Sequence, residues 1–121
     1  MENVKFNYLY RDAGNYKNWG EIVFSNPDRR SINAMTKALA DAFLQDGIFV
    51  AHQIRVPEIF LFDTGDATSD DHCFHEFDAV ESTLEHPTDR HRRSISEFVA
   101  EVESQAKRGW VPFAPDEVRA V

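Results

Sequence analysis

The chain has 121 residues, 42% of them hydrophobic, with ten Phe, five Gly, five Pro and a single Cys. That is the size and composition of one folded domain with an aromatic-rich core, and it argues against disorder. Acidic residues exceed basic ones by 21 − 13 = 8, which disfavours general nucleic-acid binding and favours a basic partner or a cation.

Residues 4–10 (VKFNYLY) alternate, with Val4, Phe6, Tyr8 and Tyr10 on one face, and predict a half-buried strand. Residues 20–25 predict a second, with Ile22 and Phe24 on one face and Val23 on the other. Between them, RDAGNYKNWG is too long for a tight hairpin turn. Its Arg11, Asn15, Tyr16, Lys17 and Trp19 have the composition of a contact surface, because aromatic and Arg side chains dominate binding energy. Loops on rigid strands often carry binding function. These five are the candidate partner-binding residues.

Asn26-Pro27-Asp28 breaks the second strand. Ser31 is suited to cap a helix whose apolar residues recur at Ile32, Met35, Leu39, Ala42 and Phe43, with Gly47 closing it. Residues 48–56 predict a strand with Ile48, Val50, Ile54 and Val56 on one face, and His52 among them as a hydrogen-bonded core histidine. Pro57 forces a bend, bulge or edge there. EIFLF (58–62) is apolar on both faces and predicts a more central strand. The acidic loop DTGDATSDD lacks the spacing of an EF-hand. Residues 73–83 predict the last strand. Ser94-Ile95-Ser96-Glu97 matches a capping box, and Ile95, Phe98, Val99, Val102 and Ala106 form the apolar stripe of a second helix ending at Gly109. Trp110, Val111 and Phe113 are expected to fold back onto the core.

Arg-Arg-Ser-Ile occurs before both helices, at 29–32 and 92–95. Two strand-strand-helix units in tandem would account for this, as would chance. The expected architecture is α+β in a single domain, 1–121: an antiparallel sheet of four to five strands with two helices packed on one face, in the order ββαβ(β)βα.

The stretch DDHCFHEF (70–77) is the densest cluster of reactive side chains. Strand alternation puts Cys73, His75 and Phe77 on one face and His72, Phe74 and Glu76 on the other. His72, Cys73, His75 and Glu76 are candidate metal ligands, but further ligands would have to come from His52 or an Asp of the 63–71 loop. The zincin motif begun by His75-Glu76 fails at Ala79. No G-x-S-x-G, phosphate loop or D/E-x-K nuclease pattern is present. Arg29, Arg30, Arg90, Arg92 and Arg93 precede the two helix starts and are candidate anion-binding residues, with Asp28 and Asp89 beside them as neutralising acids.

YLYRDAGNYKNWGEIVFSNP, DGIFVAHQIRVPEIFLFD and HEFDAVESTLEHPTDRH together resemble a group of small uncharacterised bacterial proteins that share the YRDxxNYKxxGEIVFSNP opening and an HEF strand. The resemblance spans most of the chain. It implies a bacterial or phage-related source and a stand-alone domain, and brings no activity, cofactor or catalytic residue.

The function these observations predict is a small acidic, non-enzymatic protein-binding module of the immunity, antitoxin or inhibitor type, without a cofactor. The alternatives are a metal-dependent hydrolase centred on 72–76 and a nucleotide or anion sensor at the arginines. The opening has no signal-type apolar run, no segment reaches membrane-spanning length, and one Cys allows no internal disulfide, so the expected location is cytoplasmic with no membrane partner. Exposed strand edges leave a homodimer open.

Overall fold

A computed structural model of the chain describes residues 2–63 and 65–117. Four strands, β1 (Asn3–Arg11), β2 (Lys17–Phe24), β3 (Ile48–Val50) and β4 (Phe74–Thr83), form one antiparallel sheet in the order β2-β1-β4-β3. Two helices, α1 (Ile32–Ala42) and α2 (Ile95–Arg108), complete the α+β fold. Alternation along β1 puts Val4, Phe6 and Tyr8 on the core face, opposite Phe24, Ile22 and Gly20 of β2. Met35 and Leu39 of α1 and Ile95, Phe98, Val99 and Val102 of α2 join the same apolar cluster, so both helices cover one face. The other face carries Lys5, Asn7, Leu9 and Arg11, with Lys5 paired to Glu21 and Arg11 to Glu76. No helix among the described residues is long and apolar enough to cross a membrane.

The two Arg-Arg-Ser-Ile segments build one structure twice. Asn26 and Asp89 each accept the backbone N–H four residues on, from Arg30 and Arg93. The first Arg of each pair takes a left-handed conformation, φ 52° at Arg29 and 54° at Arg92. Ser31 and Ser94 then accept the N–H three residues on, from Ala34 and Glu97. At Ser94 the Glu97 carboxylate also accepts the Ser94 N–H, completing the capping box. The sheet order is compatible with this repeat, because β2 and β1 occupy two adjacent positions and β4 and β3 the next two, with matching directions.

Several local expectations are corrected. The hairpin is tighter than its sequence suggests: pairing extends to Arg11↔Lys17, leaving only 12–16 as loop. Gly47 does not close α1, which is capped at Phe43; it ends a separate 3-10 turn at Gln45–Gly47 with φ 74°. The strand expected over 48–56 stops at Val50, and Ala51–Ile54 is a 3-10 turn that points His52 outward. EIFLF is not a fifth strand. It is a strap of irregular backbone across the open end of the core face, fastened by side chains: Tyr8 Oη donates to the Pro57 carbonyl, Asn18 Nδ2 to the Ile59 carbonyl, and Ile59 N–H to His75 Nε2. Side-chain acceptors and donors replace the ladder a strand would have used.

The tail folds back in part. Trp110 packs on the core and donates to the Ala42 carbonyl, and the Phe113 N–H points at Cys73 Sγ, but Val111 stays exposed.

Candidate functional site

The 70–77 cluster divides as strand alternation requires. A bulge does interrupt β4, but it falls at Asp78, where Ala79 opposes Asn7 while Phe77 opposes Tyr8. Phe74 and Phe77 therefore keep opposite faces. Cys73 and His75 lie on the core side, fully buried. Every imidazole nitrogen in the stretch has a backbone partner. His75 Nε2 accepts from Ile59 N–H at 3.0 Å, which places its proton on Nδ1 facing the Cys73 carbonyl. His72 Nδ1 accepts from Phe74 N–H, so its Nε2–H donates to the Arg11 carbonyl at 2.7 Å. Burial pushes the His75 imidazole down to about 4 and the Cys73 thiol up, so both are neutral near pH 7. Glu76 is turned away, toward Arg11. The four residues do not converge on a common point; among the described residues no group of three or more His, Cys, Asp or Glu is arranged around a metal position.

The arginines also separate. Arg93 is interior: its guanidinium binds Asp89 through two nitrogens, donates to the Ile54 and Arg55 carbonyls, and lies over the rings of Phe24 and Phe98. Burial pushes the Asp89 carboxyl up, yet its bonds from Arg93 outweigh this and hold it below the usual range. The equivalent Arg30 has Asn26 where Arg93 has Asp89, and Arg29 and Arg30 line an open cleft with Ser31. Arg90 lines a different cleft beside His91 and Arg55, while Arg92 is exposed. The two clusters thus form no single site.

The hairpin residues do come together. Arg11, Lys17 and Trp19 share the face away from the helices, with Leu9 buried between its pairing neighbours Trp19 and Glu76. Asn15 takes φ 67° and accepts from Arg11 Nη1, and the Asp12 carboxylate accepts the Tyr16 N–H. These bonds hold the loop while leaving Tyr16 74% and Trp19 58% exposed. Comparison with family models, curated proteins and solved structures finds no match to this chain.

A cleft of about 720 Å³ lies between the strap, the Ala51–Ile54 turn and the tail. His52, Glu58, Phe60, Phe62, Asp63 and Phe113 line it. Sequence reading missed it because its walls come from three separate segments. The usable signals were the prolines at 57, 112 and 115, which keep both the strap and the tail out of regular pairing.

Proposed function

We propose that the protein is a binding module that works by covering another protein, in the manner of an immunity, antitoxin or inhibitor protein, and that it does so in the cytoplasm. The observation that carries this reading is the hairpin: two large aromatic side chains stand in water on a backbone tied down by its own hydrogen bonds. Tyr and Trp supply large contact area at little entropic cost when they are held in advance. Arg11 and Lys17 flank them and would orient the partner, and Asn15 shapes the turn. The excess of acidic residues supports a basic partner, and the saturation of His72, Cys73 and His75 by internal bonds supports a binding role over a chemical one.

A photo-reactive phenylalanine placed at Tyr16, in cells that naturally make the protein, tests this. One discrete crosslinked protein is expected, lost when Trp19 is changed to Ala. No crosslink, or one indifferent to Trp19, would overturn the reading.

A further inference from the structure

We infer that the cleft between strap and tail is a seat for the cationic side chain, lysine or arginine, of a basic polypeptide. Phe60 and Phe62 stack at 4.6 Å between ring centroids, and Phe113 lies against His52 at 5.3 Å. The cleft therefore has three phenyl rings in its wall, together with the carboxylates of Glu58 and Asp63. Among the described residues, none that lines it is Lys or Arg. Among the described residues the only basic group near Glu58 is His52, at 3.7 Å, and no ion pair involves Asp63. Phenyl faces attract ammonium and guanidinium ions, and carboxylates beside them complete a cation site. The cleft is of the size that takes a side chain or small ligand. Its surroundings reinforce the sign: Asp66, Asp70 and Asp71 continue the strap, and Asp116 and Glu117 continue the tail.

The polypeptide source rests on the protein-binding reading above, but the cleft is a surface distinct from the hairpin. The two are joined mechanically, since Asn18 of the hairpin donates to the strap at Ile59.

The test is an NMR titration with the peptide acetyl-Gly-Arg-Gly-Lys-Gly-amide, its Gln counterpart acetyl-Gly-Gln-Gly-Gln-Gly-amide, and 1,5-diaminopentane. The basic peptide is expected to give saturable shifts at Phe60, Phe62 and Phe113, the Gln peptide none. Glu58→Gln with Asp63→Asn should weaken binding at least about five-fold. Tyr16→Ala with Trp19→Ala should leave it unchanged. Absent shifts, equal binding of the Gln peptide, or indifference to the carboxylate changes would overturn the inference while leaving the hairpin reading standing. Binding of the diamine as tight as that of the peptide would overturn the polypeptide source. Loss of the shifts in the hairpin variant would move the site to the hairpin.

Discussion

The imidazole of His75 and the backbone N–H of Ile59 meet at 3.0 Å, so a buried side chain of the sheet holds the strap that crosses it. The bond needs His75 neutral, and burial keeps it so by pushing its pKa from 6.5 to about 4. Between those values the unfolded chain binds a proton that the folded chain does not. Stability is therefore fully present above pH 6.5 and is lost as pH falls toward 4, by an amount on the order of 3 kcal/mol. Urea unfolding across this range should show the loss. His75→Gln, which keeps an acceptor for Ile59 but does not titrate, should flatten it. The lowered carboxyls of Asp89 and Glu101 act below their ordinary values of 3.8 and 4.5, so the loss between pH 6.5 and 4.5 reports His75.

The repeated Arg-Arg-Ser-Ile turn makes its own prediction. Arg93 and Asp89 form an ion pair with side chains only 4% and 3% exposed. Removing Asp89 leaves the interior Arg93 charge only Glu101, at 3.4 Å, as a counter-charge, so Asp89→Ala should cost about 2–4 kcal/mol by denaturant unfolding. Among the described residues the counterpart Arg30 has no such partner, and Arg30→Ala should cost less than about 1 kcal/mol.

Gly20 faces Tyr8 across the β1–β2 pair. A Cβ at this position would come within 2.9 Å of the Tyr8 ring, which is buried and anchored through its hydroxyl to the Pro57 carbonyl. The ring cannot withdraw without freeing the strap. Gly20→Ala should destabilise the fold by about 1–3 kcal/mol, visible as a lower thermal midpoint.

What could be read in advance was what local chemistry decides. The Ser94–Glu97 capping box, the alternation of β1 and the facing of Cys73 and His75 depend on neighbours in the chain, and all are found where the residues indicate. EIFLF was misread for a physical reason. Apolar residues on both faces suit a central strand, but they equally suit a strap whose Ile59, Phe60 and Phe62 are half-buried while Leu61 stays exposed, and the difference lies in bonds from Tyr8, Asn18 and His75 that are distant in sequence. β periodicity carried past Val50 puts His52 in the core; the left-handed Arg55, φ 56°, ends a 3-10 turn that breaks that count. The hairpin residues were legible by composition, and the placing of Arg11, Lys17 and Trp19 on one face follows from the Leu9↔Trp19 and Arg11↔Lys17 pairs.

Exposed Tyr16 and Trp19 are proposed to bind a protein. Calorimetric titration of the partner captured through Tyr16, against wild type and the double variant Tyr16→Ala, Trp19→Ala, tests it most directly. Binding by the variant should be weaker by about 100-fold or more, since buried Tyr and Trp anchors are each worth about 2 kcal/mol, with the thermal midpoint moved by only a few degrees. An unchanged Kd in a folded double variant would contradict the account.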